Sequence, residues 1–208
     1  MTGAIILGLG GHARVVADVA LVAGWQIAGF VGPREDARTL ALFAAPYLGD
    51  DAVLATRDSA EMLLNGLGSL APGSHRVSLY RELCSRGWRF ATLVHPAAVV
   101  AASARLGGGA QIHAGAVVQP GCVIGENTIL NTRCSVDHDC QVAAHCHIAP
   151  GAVLSGGVRL GEDVHVGSGA VVIQGIEIGA GAMIAAGAVV TKNVDAATRV
   201  AGVPARKF

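Results

Sequence analysis

The chain has 208 residues, with fifteen basic and fifteen acidic side chains, 52% apolar and only 14% charged residues. Such a composition excludes a disordered chain, and zero net charge without a Lys/Arg run argues against a nucleic-acid or anionic-membrane partner. No apolar stretch approaches the roughly 18 residues of a membrane span, and five cysteines with no CxxC pair fit a reducing cytoplasm.

The N-terminus has no basic n-region, so Met1 to Leu7 reads as a strand rather than a signal peptide. Ala4-Ile5-Ile6-Leu7 is the apolar strand, and Gly8-Leu9-Gly10-Gly11-His12-Ala13 follows it. Val15, Val16, Val19, Ala20 and Val22 then recur at helical spacing, and Gln26–Val31 reads as a second strand. This βαβ opening with a G-x-G-x-x-A turn aims backbone N–H groups and a helix N-terminus at a phosphate. An NAD site wants an acidic residue at the end of the second strand, where Val31-Gly32-Pro33 stands instead. The segment is also short for a full dinucleotide domain, so a site for one nucleoside diphosphate is expected. Helical patterning returns over Ser74–Arg86, with Cys84 expected to pack inside. Arg14 and Arg76 are expected to be solvated, His75 to decorate a surface loop, and His95-Pro96 to mark a domain joint. Boundaries are expected at residues 1–91, 92–195 and 196–208.

From Val100 onward the chain repeats. Every sixth residue from Val100 through Ile112, Ile124, Val136, Ile148, Leu160, Val172 and Ile184 to Val190 is Val, Leu or Ile, with no insertion. The residue four further on is small or apolar, and Cys122, Cys134, Cys140 and Cys146 all occupy that place, which marks them as small core side chains. Glycine often follows the aliphatic residue, as at Gly107, Gly125, Gly161, Gly167 and Gly179, where it is expected to relieve a corner needing positive φ. Six residues make one strand and one corner. Three such faces close a triangular coil, and stacked coils bury the aliphatic column.

A small Rossmann-like lobe with Gly10-Gly11-His12, then His95-Pro96, Asn131-Thr132, Val136-Asp137-His138-Asp139-Cys140 and a closing Ala201-Gly202-Val203-Pro204-Ala205-Arg206 resembles the bacterial hexapeptide-repeat sugar acyltransferases grouped with sialic acid O-acetyltransferases. The likeness is closest to N-acetyltransferases of nucleotide-linked 4-amino-4,6-dideoxy sugars, of the bacillosamine and perosamine type. The resemblance implies an α/β Rossmann-like lobe that binds a sugar nucleotide, a left-handed parallel β-helix, a homotrimer with active sites between subunits, acetyl-CoA as cosubstrate and no metal. It implies His138 as catalytic base and Asp139 as the carboxylate that raises its basicity. His147, Gly156, Ser168 and Ala186 would contact the acetyl group and pantetheine arm, and Gly10, Gly11 and His12 the sugar nucleotide. Relatives often carry Asp-Asp after the second strand, so Val31-Gly32-Pro33 leaves the nucleotide (UDP, GDP or dTDP) open.

The chemistry also follows from the residues. Acetyl transfer from a thioester needs a base for the nucleophile's proton, and a histidine titrating near neutrality suits it. His138 holds the third place of its hexad, at a corner, and Pro120 and Gly156 lie one coil away in that column, leaving a slot beside the imidazole. His147 and His165 should stack one strand spacing apart. O-acetylation of a sialic-acid-like sugar is the alternative within this chemistry. From another class, His145, His147 and His165 would be the zinc ligands of a carbonic-anhydrase-like β-helix.

Overall fold

The computed structural model describes residues 3–33, 36–57, 61–69 and 72–208. Met1 and Thr2, read as the start of the first strand, lie outside the described residues.

The N-terminal lobe is a three-layer α/β unit. β1 (Gly3–Leu7), β2 (Gln26–Val31), β3 (Tyr47–Gly49), β4 (Met62–Asn65) and β5 (Arg89–Phe90) form a parallel sheet in the order β3-β2-β1-β4-β5. α1 (Gly11–Val22) follows β1, because Ala13, Val16, Ala17, Val19 and Ala20 make one apolar stripe that packs with Ile6, Phe30 and Leu64. α2 (Ala37–Phe43) begins at Asp36, whose side chain accepts from the Thr39 N–H at 3.1 Å. α3 (His75–Ser85) covers the opposite face of the sheet with Leu79, Tyr80 and Leu83 against Ile5, Leu7 and Leu63. Cys84 sits on the outer side of α3 and is exposed, against expectation: the helix turns Leu79, Tyr80 and Leu83 inward and leaves position 84 to solvent. α2, β3 and β4 escape periodicity analysis because they are only three to seven residues long.

The rest of the chain is a parallel β-helix. Its two-residue strands pair in columns, as in Val117↔Ser135↔Val153↔Val171↔Val189, each partner one coil on. Three sheets result. One runs from Leu93–Val94 through Gln111–Ile112 and His147–Ile148 to Arg199–Ala201 and faces the lobe. The second begins at Val99–Val100 and the third at Arg105–Leu106. Val118, Ile124, Leu130, Val136, Val142, Ile148 and Leu154 fill the axis, and all are at most 2% exposed. Cys122, Cys134, Cys140 and Cys146 are buried beside them as free thiols, as their hexad place implied. The register changes near the end: Val172 pairs with Val190, but Ile184 pairs with Val200, so the last coil is two residues shorter. No helix among the described residues is long and apolar enough to cross a membrane.

The corner glycines need a correction. The glycines that follow the aliphatic residue do not have positive φ. Positive φ falls two residues later, at every sixth position from Gly109 to Gly187, and Asn127, Arg133, Asp139, His145 and Asp163 adopt it without glycine. Glycine after the aliphatic residue serves close approach instead. A Cβ on Gly161 would lie 2.5 Å from the Ala180 nitrogen in the next coil, and one on Gly107 2.5 Å from the Glu126 nitrogen. Two glycine columns therefore have two different causes, one steric and one conformational.

The difference is measurable. Gly161→Ala forces two backbones apart, which at a typical overpacking cost of about 1–3 kcal/mol lowers the melting temperature by several degrees. Gly175→Asn sits at φ +69° with open space around its Cβ position, and stays within about 0.5 kcal/mol of the parent. Thermal unfolding followed by circular dichroism separates the two.

Candidate active site

His138 stands on the corner between the second and third faces, where the chain leaves Ser135–Val136 and enters Gln141–Val142. The left-handed residue of this corner is Asp139, at φ 60°, and its N–H bonds the Pro120 carbonyl at 3.0 Å. Aspartate tolerates that conformation better than most residues. The resulting kink turns its carboxylate back onto the imidazole, so that His138 Nδ1 donates to Asp139 Oδ2 at 2.8 Å. The Asp137 carboxylate accepts from the His138 backbone N–H, also at 2.8 Å. First the Asp139 hydrogen bond and then the Asp137 charge hold the His138 pKa above its ordinary value.

Two glycines give this pair its space. A Cβ on Gly156, one coil on, would lie 2.5 Å from His138 Nε2, and a Cβ on Gly121, one coil back, 2.5 Å from Asp139 Oδ1. With Nδ1 committed to Asp139, Nε2 carries the lone pair and lies over the bare Gly156 backbone. The side chain is 63% exposed, so a bulky nucleophile can reach it. This is the geometry of a solvent-accessible general base with an oriented tautomer.

A second feature lies in the lobe. An open cleft of about 960 Å³ runs over the carboxyl ends of β1, β2 and β4, lined by Gly8–His12, Pro33, Asp36–Arg38 and Gly66–Gly68. β2 and β4 flank β1 on opposite sides, so the cleft sits where the sheet order reverses, the usual ligand site of an open parallel sheet. Gly10 caps α1 in extended conformation with no side-chain cap, leaving the first N–H groups of the helix toward the cleft. Thr39 Oγ1 donates to the Leu9 carbonyl at 2.7 Å and ties the Gly-rich turn to α2. Arg14 pairs with Asp36 at 3.9 Å rather than standing alone in solvent.

Between lobe and β-helix runs a buried polar joint that sequence reasoning missed. Arg76, expected in solvent, is 2% exposed and faces no carboxylate among the described residues. Its guanidinium donates instead to the carbonyls of Asn65 at 2.8 Å, Leu67 at 2.6 Å and Asn127 at 3.3 Å. Burial lowers its pKa to about 9. Asn65 Nδ2 donates to Asn127 Oδ1 at 3.1 Å, and Gln111 Nε2 to the Asn65 carbonyl at 2.7 Å. Gln111 and Asn127 could have been noticed as amides in a β-helix face otherwise rich in aliphatics, but nothing in the period says which face a lobe will cover.

The histidines divide between these places. His12 bounds the cleft and reaches the joint, where its Nε2 lies 3.0 Å from Gln111 Oε1. Burial, then the nearby Arg76 charge, lowers its pKa to about 3. His113 packs edge-on against it, buried, with its pKa lowered to about 4 by burial. His147 lies on the lobe-facing sheet with both ring nitrogens engaged: Nδ1 donates to the Ser69 carbonyl at 2.6 Å, and Nε2 accepts from Asn131 Nδ2 at 3.1 Å. Burial lowers its pKa to about 4. His147 and His165 are strand partners with ring centroids 5.0 Å apart, as their spacing implied. His145 accepts from Asn127 Nδ2 at 3.1 Å. Among the described residues no group of three or more His, Cys, Asp or Glu side chains is placed to hold a metal ion.

Within one chain the expected site residues are not all brought together. His138, Asp139 and Gly156 share one corner, while Ser168 and Ala186 stack on the corner between the lobe-facing and second faces. His147 and His12 lie on the lobe side. The aliphatic core stands between that side and His138.

Comparisons with known proteins bear on both halves. The bacterial transferase hexapeptide family (six repeats) matches residues 121–156 and 157–192, and the PglD N-terminal domain matches residues 4–67. A comparison with curated protein sequences finds no significant match. Among solved structures, PerB from Caulobacter crescentus, in complex with CoA and GDP-perosamine, is 36% identical with a TM-score of 0.90, over 100% of this chain and 98% of that one. The acetyltransferase domain of PglB from Neisseria gonorrhoeae, in complex with acetyl coenzyme A, is 31% identical with a TM-score of 0.88, over 100% and 99%. WeeI from Acinetobacter baumannii, at 21% identity and a TM-score of 0.80, shares the fold.

Two outcomes follow from this geometry. Gly156→Ala displaces the imidazole and lowers kcat at least about tenfold without unfolding the protein, read by steady-state kinetics beside a melting curve. His12, His113 and His147 are each held neutral below the ordinary histidine pKa, so the unfolded chain takes up protons first as pH falls. Stability from these groups is therefore full above pH 6.5 and declines from there toward about pH 3, measured as denaturant midpoints across that range.

Proposed function

Since the chain belongs to the bacterial hexapeptide transferases that carry a PglD-type N-terminal domain, we propose that it transfers the acetyl group of acetyl-CoA to the 4-amino group of a nucleotide-linked 4-amino-4,6-dideoxy sugar. The observation that carries this reading is the His138–Asp139 pair, with Nε2 bare over Gly156. It is an acetyl-CoA-dependent sugar acetyltransferase with an α/β lobe and a left-handed β-helix, and the lobe cleft is its sugar-nucleotide site. We assign His138 as base, Asp139 as its orienting carboxylate, Gly10 and Gly11 to the diphosphate and His12 to the substrate. Gly156, Ser168 and Ala186 are assigned to the pantetheine arm.

Acetyl-CoA supplies the acetyl thioester. As the sugar nitrogen attacks the thioester carbonyl, its proton passes to His138 Nε2. Asp139 accepts from Nδ1 throughout and stabilises the imidazolium that forms. The same imidazolium returns the proton to the departing thiolate, which leaves a neutral amide, a neutral thiol and the histidine as it began.

The division of residues between two corners supports a homotrimer with shared sites. One copy offers the His138 corner and a neighbour offers the corner with Ser168 and Ala186, together with a cleft that no single chain can present to its own His138. His147 is assigned to the acetyl group of the cosubstrate with its imidazole supported by Asn131 and the Ser69 carbonyl. A cytoplasmic location belongs to the same proposal, supported by the expectation that both acetyl-CoA and sugar nucleotides are met there.

Thiol release from acetyl-CoA, assayed with GDP-, UDP- and dTDP-linked 4-amino-4,6-dideoxy sugars and with free sialic acid, tests the reaction. Turnover of one amino sugar nucleotide is expected; turnover of sialic acid alone would contradict the proposal. His138→Ala should lose about 10²–10⁴-fold in kcat with its fold intact. Asp139→Asn should move the acid limb of the kcat/KM profile to lower pH, because the carboxylate that raises the His138 pKa is gone. Sedimentation should give a trimer, and a monomer at micromolar concentration would refute the shared site.

A further inference from the structure

Beyond the loop glycines, the cleft is bounded by His12, and the β-helix decides which nitrogen of that imidazole is offered to a ligand. Gln111, on the lobe-facing sheet, is 1% exposed. Its Nε2 lies 2.7 Å from the Asn65 carbonyl oxygen. A carbonyl can only accept, so the amide nitrogen must point there and Oε1 must point to His12. Oε1 in turn can only accept, so the His12 nitrogen 3.0 Å away, Nε2, carries the proton. Asn65 is itself fixed, since its Oδ1 accepts from the Leu67 N–H at 3.2 Å and its Nδ2 donates to Asn127. A second proton, on Nδ1, would place an imidazolium in a part-buried setting beside Arg76, His113 and His147, with no carboxylate against it among the described residues. Among the described residues His12 Nδ1 has no hydrogen-bond partner.

We propose that Gln111 is a positioning residue that locks His12 as the Nε2–H tautomer, so that His12 presents Nδ1 to the cleft as a hydrogen-bond acceptor for a hydroxyl or amino donor of the nucleotide-linked sugar, and not for its phosphates. The inference rests on the sugar-nucleotide reading of the cleft. Diphosphate oxygens at neutral pH have no proton to give, so a bare imidazole nitrogen cannot bind them. The diphosphate is left to the N–H groups of the Gly-rich turn and α1. A half-buried acceptor that loses water when the ligand binds discriminates against an analogue with no donor for it, so the lock is a specificity device.

The test begins with the unmodified protein. Nitrogen-15 NMR on histidine-labelled enzyme at pH 7.5, with His12 assigned from the His12→Asn difference, should show Nε2 protonated and Nδ1 bare. Adding GDP-perosamine should move the Nδ1 resonance upfield, while GDP alone leaves it in place. An imidazolium, an Nδ1–H tautomer, or an equal shift with GDP alone would overturn the proposal. Amide resonances of Gly8–Gly11 distinguish the two levels. If GDP-perosamine moves them and His12 Nδ1 does not respond, the tautomer proposal fails alone. If nothing moves them, the cleft reading fails and this proposal falls with it. Gln111→Glu adds the kinetic arm, because a carboxylate there favours the imidazolium and turns Nδ1 into a donor. KM for the sugar nucleotide should rise at least about tenfold with KM for acetyl-CoA unchanged, and the defect should shrink at high pH as His12 loses its added proton. A merely structural role for Gln111 would move both constants together and show no such pH recovery.

Discussion

Backbone N–H groups of each coil bond the carbonyls of the next, as Asp137 does to Leu154 and Ser155 to Val172, and this ladder holds an 18-residue register until the last coil. It sets which side chains meet. Because the register holds from one coil to the next, Gly156 lies against the His138 imidazole and Gly121 against the Asp139 carboxylate. The left-handed corner residue recurs with the same period and turns Asp139 back toward its neighbour. The proposed catalytic pair thus rests on a scaffold whose strands are only two residues long but whose stacking is continuous, which is how short elements acquire the rigidity that proton transfer needs.

The lobe is fastened to this scaffold by an unusual device. Arg76 is buried with no carboxylate partner among the described residues, and three backbone carbonyls accept from its two terminal nitrogens. Two of these, Asn65 and Leu67, belong to the segment that leaves β4 and forms one wall of the cleft, and the third belongs to the coil. One side chain therefore shapes the cleft wall and holds it against the β-helix. Losing it would take the donor from the Leu67 and Asn127 carbonyls, at about 1–3 kcal/mol for each, while the Asn65 carbonyl would keep Gln111. Burial, with a smaller contribution from the same guanidinium, lowers the pKa of the surrounding imidazoles, so the joint relies on oriented hydrogen bonds rather than on ion pairs.

Much of this was legible in the sequence. The hexad step from Val100 to Val190 specifies a β-helix because an aliphatic column with one residue type per step has few other ways to be buried. The core role of four cysteines and the slot at Gly156 follow from the same counting, and the strand at Gln26–Val31 from the βαβ pattern of the lobe. What counting misses is anything set by which face the lobe covers. Arg76 reads as a surface charge because its partners are backbone carbonyls, which leave no mark in the sequence. Gln111 and Asn127 carry no sequence signal of their burial, which comes only from the lobe placed over them. The corner glycines were assigned the wrong cause for a similar reason, since period alone does not say whether glycine is required by φ or by a neighbouring backbone.

The central claim is that one acetyl-transfer centre is built from the His138 corner of one copy and the lobe cleft of the next. Co-expression of two inactive variants tests it directly. His138→Ala removes the base, and Gly10→Asp, at an open N-cap position, puts a negative charge where the diphosphate binds while keeping a good helix cap. In mixed trimers with equal amounts of each, a site that draws its base from one copy and its cleft from another is intact about one time in four, and acetylation of GDP-perosamine should return to about a quarter of the parent rate. Mixtures as inactive as either variant alone would mean that base and cleft come from the same chain, and would contradict the account.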